Sequence, residues 1–188
     1  MMGPMLRPEQ NGEKIIRHRT PDDVLKRDGR RMMVRPVEGE EHLQFLKWKL
    51  EEEAAEVASA TGETVAEEIA DVRQALIDFC AVAGIKPALV RVADIDGVPT
   101  AQADRIAFFR GLIERLGALA ASVPDDDMDR VAHVGEMLGV IGTMTDMAGI
   151  REAVRTELAK KFEAKGGFIP GLVWKVPEEA MKKEAEAS

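Results

Sequence analysis

Apolar side chains recur at spacings of three and four residues along most of the chain, the pattern of helices that bury one face. The first strong helix begins near Glu40, and its apolar positions are Leu43, Leu46, Leu50, Ala54 and Val57. Thr61 and Gly62 interrupt it, and the next helix carries Val65, Ile69, Val72, Leu76, Phe79 and Ala83. So short a break predicts that these two helices are antiparallel neighbours.

Three more helices are predicted in the second half of the chain, over residues 100–122, from Pro124 onward, and over 150–165 before Gly166 and Gly167. Their inward positions are expected to be Ile106, Phe109, Leu112, Ile113, Leu116 and Leu119, then Val131, Leu138 and Ile141, then Ile150, Val154, Leu158 and Phe162. Brief extended segments are expected at 30–36, 88–92 and 168–176. The predicted fold class is an all-α helical bundle.

Length and composition are consistent with one globular domain. The chain has 188 residues, 45% of them hydrophobic and 32% charged, which is enough for a single sizeable core. We expect a loose tail at residues 1–12, the domain at 13–176 and a charged tail at 177–188.

Charge and cysteine usage exclude several classes of function. The net charge of −8 argues against nonspecific nucleic-acid binding, which needs a basic face. Cys80 is the single cysteine, so an intrachain disulfide is impossible and a reducing compartment is expected. No apolar run reaches the length of a membrane span. A cytoplasmic protein that binds no membrane is therefore predicted.

An acidic near-repeat stands out within the first two strong helices. Residues 50–57 read LEEEAAEV and residues 65–72 read VAEEIADV, so Glu53 matches Glu68 and Glu56 matches Asp71. At ~100° per residue, Glu53 lies about 40° from the centre of its apolar stripe, with Glu56 roughly 60° further round. Glu68 and Asp71 have the equivalent angles. The four carboxylates therefore belong at the edge of one buried seam.

Such a cluster is either a solvated helix face or a cation site. Two unit charges ~5.5 Å apart repel by roughly 3 kcal/mol at an effective dielectric near 20, which favours a bound cation at a half-buried seam. Oxygen ligands select Mg²⁺ or Mn²⁺ over Zn²⁺, and the histidines are scattered. Two ions ~4 Å apart could activate water and steady the leaving oxygens.

Three motifs occur in order along the chain. They are KIIRHRTP at residues 14–21, EExxE at 52–56 with ExxD at 68–71, and KFEAKGGF at 161–168. Together they resemble one family, the MazG-like and phosphoribosyl-ATP pyrophosphohydrolase-like all-α nucleoside triphosphate pyrophosphohydrolases. EExxE with ExxD is similar to the family's paired metal motif, KIIRHRTP to an opening KLVRDKIP, and KFEAKGGF to a closing K…RGGF. The resemblance implies hydrolysis of a nucleoside triphosphate between its α- and β-phosphates, which gives a monophosphate and pyrophosphate.

Roles for individual residues follow from this resemblance. The metal ligands would be Glu53, Glu56, Glu68 and Asp71, and Glu52 would be a further ligand or a base that orients water, so that Glu52 and Glu53 are the catalytic candidates. The substrate-binding candidates are Lys14, Arg17, Arg19, Trp48, Lys161 and Lys165. Simpler interpretations stay open: compensation of a helix dipole for the C-terminal lysines, a solvated strand for the N-terminal cations, and a subunit interface for Trp48.

The chain also departs from the family pattern. His18 stands where the family usually has an Asp, and Gln74 stands where many members have a Glu. Lys165 replaces an Arg, which keeps the charge but loses the two parallel hydrogen bonds that a guanidinium can donate to a phosphate. Residues 86–148 form an atypical helical insertion, suited to an oligomer interface or a lid over the base. A homodimer or homotetramer is expected. The substrate could be a standard dNTP, a damaged nucleotide, phosphoribosyl-ATP or, for a phage-type enzyme, a purine dNTP. The alternative function is a non-catalytic helical protein that binds metal or a basic partner.

Overall fold

The computed structural model describes residues 13–29, 31–62 and 64–175, and the predicted tails lie outside them. Its elements, in chain order, are β1 (Glu13–Ile16), α1 (Thr20–Asp28), β2 (Val34–Val37), α2 (Gly39–Ser59), α3 (Thr64–Val82), a 3₁₀ turn (Pro87–Leu89), α4 (Gln102–Ala121), α5 (Asp127–Ala148), α6 (Arg151–Lys165) and β3 (Gly171–Lys175). The predicted all-α helical bundle is confirmed, and a small sheet accompanies it.

The core forms around α2 and α3, which pack closely against each other. Their predicted apolar stripes are buried except for Val65 and Ala83, which are half-buried. Leu46, Leu50, Ile69 and Phe79 are fully inaccessible to solvent. Helix α4 packs on α2, α6 on α3, and α5 on α4. Within the described part of the chain, no helix has both the length and the apolar character that crossing a bilayer requires.

The sheet joins the two ends of the described chain. Strand β3 lies between β1 and β2 and pairs antiparallel with both. Lys14 lies opposite Trp174 on one side, and Val37 lies opposite Gly171 on the other. The extended segments predicted near 30–36 and 168–176 thus correspond to β2 and β3. Because β1 pairs with β3, the turn after β1 is held beside the end of α6.

The strand predicted at residues 88–92 is wrong. Pro87–Leu89 is a 3₁₀ turn, and the chain that follows runs irregularly along α5. The Ala93 N–H donates to the Gly135 carbonyl at 3.0 Å. A Cβ on Gly135 would lie 2.2 Å from the Arg91 carbonyl oxygen, and one on Gly139 would lie 2.2 Å from the Ala93 carbonyl oxygen. These glycines therefore form a shallow face on α5 that accepts the backbone of the passing segment.

Two predicted core positions are also wrong. Ile106 is 51% exposed, because the buried residues of α4 begin only at Leu112. Phe162 is 52% exposed. The face of α6 that meets α3 continues from Val154 to Lys161, whose ammonium pairs with acidic groups on α3. The buried Val154 and the ion pairs of Lys161 thus together set which side of α6 faces inward.

Candidate metal and phosphate site

Helices α2 and α3 bring three of the four predicted metal ligands together. Glu53, Glu56 and Glu68 each offer a carboxylate oxygen, and these oxygens lie within 4.8 Å of one another. Glu53 is buried, Glu68 is half-buried and Glu56 is exposed. The cluster therefore extends from the core to the surface, as a site that exchanges its ligand with solvent requires.

Glu53 is the innermost carboxylate and is incompletely satisfied. It is only 3% exposed, and its Oε1 forms an ion pair with the Lys49 ammonium, 2.6 Å away. Its other oxygen, Oε2, has no hydrogen-bond partner among the described residues. Burial raises the pKa of Glu53 to about 7, although Lys49 acts in the opposite direction. A buried oxygen without a partner is unusual, and a divalent cation is a ligand that would satisfy it.

Asp71, the fourth predicted ligand, lies beside this trio but is engaged by cations. Its carboxylate accepts from the Arg17 guanidinium and from the Lys161 ammonium. Lys161 also pairs with Glu67 at 3.0 Å. Burial alone would lower the pKa of Lys161, but the hydrogen bonds to Asp71 and Glu67 raise it above its ordinary value. Asp71 thus links the acidic cluster to the basic side chains.

Acidic and basic groups share one open cleft of about 270 Å³. Carboxylates at its wall are Glu53, Glu56 and Asp71, and the cationic side chains there are Arg17, Lys49, Lys161 and Lys165. A wall of this composition can hold a divalent cation and, next to it, the negatively charged oxygens of a phosphate chain.

The cleft forms because two distant turns are hydrogen-bonded to each other. The His18 N–H donates to the Gly167 carbonyl at 2.9 Å, and the Arg19 N–H donates to the Lys165 carbonyl at 3.1 Å. The Arg17 guanidinium donates to the Gly166 carbonyl at 3.2 Å. The opening and closing motifs recognised in the sequence are therefore one structural unit that covers the carboxylate helices.

Besides Glu68, two predicted residues lie near the cleft without lining it. Glu52 pairs with the Lys49 ammonium at 3.1 Å and with that of Lys14 at 4.0 Å. Because Lys49 contacts both Glu52 and Glu53, Glu52 is linked to the buried carboxylate through this ammonium group. Lys14 sits on β1 with its side chain partly exposed.

Arg19 and Trp48 point elsewhere. The Arg19 guanidinium donates to the Glu163 carbonyl near the end of α6, and its side chain is exposed. Trp48 packs edge-on against Phe45, with 5.2 Å between the ring centroids. Neither is among the residues that line the cleft, so the expected contacts of Arg19 with phosphate and of Trp48 with a base stay predictions.

Phe168 lines the cleft, although it is not among the site residues predicted from the sequence. Its side chain is 2% exposed and forms part of the cleft wall. The Arg17 guanidinium carbon lies 5.0 Å from the ring centroid, and the Lys49 Nζ lies 6.0 Å from it. Cations are attracted to aromatic faces at such distances. The signal available in the sequence was the position of Phe168 directly after the paired glycines.

Comparison with protein-family models, curated proteins and solved structures finds no match to this chain. Its function is therefore inferred from the side chains that meet at the cleft. A carboxylate trio that extends from the core to the surface, beside several cations, suits a ligand that carries both a divalent metal ion and phosphate groups.

Proposed function

We propose that the protein is a Mg²⁺- or Mn²⁺-dependent nucleotide pyrophosphohydrolase of the MazG-like or phosphoribosyl-ATP pyrophosphohydrolase-like kind. It would cleave a (deoxy)nucleoside triphosphate between the α- and β-phosphates and release a monophosphate and pyrophosphate. The observation that supports this most directly is the single cleft shared by the carboxylates and four cationic side chains. A cytoplasmic location, where nucleoside triphosphates are used, is part of the proposal.

The donor set fits a hard divalent cation. Glu53, Glu56 and Glu68 would hold it, and the unpaired Oε2 of Glu53 supports this choice. Asp71 is the proposed fourth carboxylate, and two or more ions per site are expected. When bound, such ions polarise phosphate oxygens and make bound water more acidic.

The basic side chains would bind and orient the phosphates. Arg17 has a fixed position because it contacts Asp71, the Gly166 carbonyl and the Phe168 ring at once. Lys161 and Lys165 lie one helical turn apart at the end of α6, and both reach the cleft. A triphosphate laid along these cations would have one of its phosphates next to the carboxylates, and the proposed cleavage requires this to be the α-phosphate. Glu52 would act indirectly, by holding the Lys49 ammonium against Glu53.

The test is a panel of ribo- and deoxyribonucleotides incubated with purified protein and either metal, with both phosphate products measured. Pyrophosphate without orthophosphate from at least one triphosphate is the expected result. Orthophosphate as the product would contradict cleavage at the α–β bond. No turnover across the panel, with metal binding retained, would leave the non-catalytic metal-binding protein as the better interpretation.

Homo-oligomerisation, as a dimer or tetramer, is also proposed, with the contact on the insertion. Exposed large apolar residues are frequent there: Leu89, Val92, Val98, Ile106 and Met128. A groove of about 560 Å³ beside them is lined by Arg91 and Asp94 as well as apolar groups. Because each chain has a net charge of −8, two copies repel each other unless they meet through a face that carries little net charge. Arg91 and Asp94 have opposite charges, and such a pair suits a two-fold contact in which each residue meets its opposite on the other copy.

Light scattering after size exclusion tests this contact. A Met128→Lys change should lower the molecular mass in solution to that of one chain. A wild-type monomer, or an oligomer that survives the substitution, would contradict the proposed interface.

A further inference from the structure

A second buried acid, Asp78, lies on α3 seven residues beyond Asp71 and outside the carboxylate trio. It is 5% exposed. Its Oδ2 accepts two hydrogen bonds, from the Phe168 N–H at 2.8 Å and from the Gln74 side-chain amide at 2.9 Å. Asp78 is not among the residues that line the cleft, so a direct contact with substrate does not explain a charged group at this depth.

The backbone of Phe168 is held on its other side as well. The His42 imidazole, through Nε2, donates to the Phe168 carbonyl at 3.0 Å. Side chains of α2 and α3 therefore fix both backbone polar groups of Phe168, its N–H and its carbonyl, in the turn after α6. The Phe168 ring in turn lies beside the Arg17 and Lys49 cations that reach the cleft.

The backbone at Gly167 packs directly against the Asp78 carboxylate. A Cβ at this position would lie 2.8 Å from Asp78 Oδ2, closer than real Cβ contacts come, and 3.0 Å from Oδ1. The absence of a side chain at 167 thus lets the backbone rest directly on Asp78. The second glycine of the closing motif and Asp78, 89 positions earlier, form a matched pair.

We propose that Asp78 is a positioning residue for the phosphate side of the cleft. It sets the position of the Gly167–Phe168 backbone and, through the Phe168 ring, the positions of Arg17 and Lys49. This inference rests on the proposed function. Because Asp78 reaches the cleft wall only through the Phe168 N–H and is not one of the three clustered carboxylates, it acts on substrate affinity and not on metal binding or the chemical step.

The kinetic test compares Asp78→Ala with Asp78→Asn on the best substrate found. Asp78→Ala removes the acceptor of the buried Phe168 N–H, which is costly, so KM should rise at least about tenfold while kcat changes little. Asn can present its carbonyl oxygen to the same two donors and should restore KM to near the wild-type value. An unchanged KM in Asp78→Ala, or no rescue by Asn, would overturn the proposal.

A double-mutant cycle tests the contact without relying on activity. Gly167→Ala should lower the thermal midpoint of the wild type, but lower it clearly less in the Asp78→Ala background, where the carboxylate is gone. Equal effects in both backgrounds would overturn the positioning role. If Asp78→Ala does not fold, Gly167→Ala alone should raise KM at nearly constant kcat. If the effects of the two substitutions are coupled but the protein hydrolyses no nucleotide, the proposed function is rejected and the contact between Asp78 and Gly167 is not.

Discussion

The Arg17 guanidinium donates to the Asp71 carboxylate, although the two residues are 54 positions apart in the sequence. The same guanidinium donates to the carbonyl of Gly166, 149 positions away, and lies over the Phe168 ring. One buried side chain therefore ties together the turn after β1, the acidic helix α3 and the turn after α6. The cleft depends on this three-way contact.

Replacing Arg17 by Lys should damage the site even though the charge is kept. An ammonium cannot reproduce the planar fork that contacts Asp71, the Gly166 carbonyl and the aromatic ring together. We expect KM for the nucleotide to rise about tenfold or more, as measured by steady-state pyrophosphate release.

Arg155→Lys is the matched control for that experiment. Arg155 lies on α6 outside the cleft, and its exposed guanidinium pairs with Glu152 at 3.8 Å. The control should change KM less than about twofold, as surface substitutions usually have small effects. An equal rise in KM in the two variants would show that lining the cleft does not distinguish the role of one arginine from that of the other.

Divalent metal should stabilise the fold through the carboxylate trio. A ligand present at 100 times its Kd stabilises by about 2.7 kcal/mol, which for a domain of this size raises Tm by roughly 5–10 °C. We expect Mn²⁺ to produce such a shift in the wild type and EDTA to reverse it. Glu53→Gln should abolish most of the shift, because it removes the innermost ligand.

The exposed Glu114 on α4 provides the control substitution. Glu114→Gln should respond to Mn²⁺ as the wild type does. A full metal-induced shift in Glu53→Gln would mean that the cation binds elsewhere on this acidic chain.

The acidic helices could be predicted from sequence because their signal is local. Apolar spacing fixed the phase of α2 and α3, and that phase brought Glu53, Glu56 and Glu68 to one place. The pairing of Asp71 could not be predicted in this way. It depends on Arg17 and on Lys161, 54 and 90 positions away, and helical periodicity carries no information about such contacts.

Gly135, which carries the passing segment, and Gly142, which does not, predict opposite effects within one helix. At Gly135 an added Cβ would meet the Arg91 carbonyl oxygen at 2.2 Å, whereas at Gly142 it would meet nothing within 4 Å. Gly135→Ala should therefore destabilise the protein by about 1–3 kcal/mol. Gly142→Ala should stabilise it by about 0.5–1 kcal/mol through helix propensity. Urea unfolding measures both, and a stabilised Gly135→Ala would contradict the described path of residues 90–93.

The same contact explains why the insertion was predicted less well than the acidic helices. Considered without their neighbours in the fold, the glycines of α5 predict a helix of low intrinsic stability, and residues 88–92 have the composition of a strand. Their actual relationship is one of shape, in which the backbone of residues 91–93 rests on Gly135 and Gly139. Neither partner shows in its own sequence that the other is adjacent.

His42 should make stability depend on pH below neutrality. Burial lowers the pKa of His42 below its ordinary value of 6.5, so the unfolded chain takes up a proton at a higher pH than the folded chain. As pH falls below about 6.5, the unfolded state binds more protons and the free energy of unfolding decreases. The decrease should level off once the pH is below the lowered pKa of the folded state.

His42→Gln isolates this contribution from that of the carboxylates. Gln can still donate to the Phe168 carbonyl but does not titrate. Urea unfolding at pH 7.5 and 5.5 should show a smaller loss of stability for His42→Gln than for the wild type. An equal loss in both proteins would show that protonation of His42 plays no part.

The most direct measurement is pyrophosphate release by the wild type, Glu53→Gln and Glu114→Gln proteins on the same triphosphate with Mg²⁺, with folding checked by circular dichroism. We predict turnover by the wild type and Glu114→Gln, and a loss of at least about 100-fold in Glu53→Gln, because the carboxylate that would hold the metal is gone. A folded Glu53→Gln protein that releases pyrophosphate at the wild-type rate would contradict the assignment of this cleft as the active site.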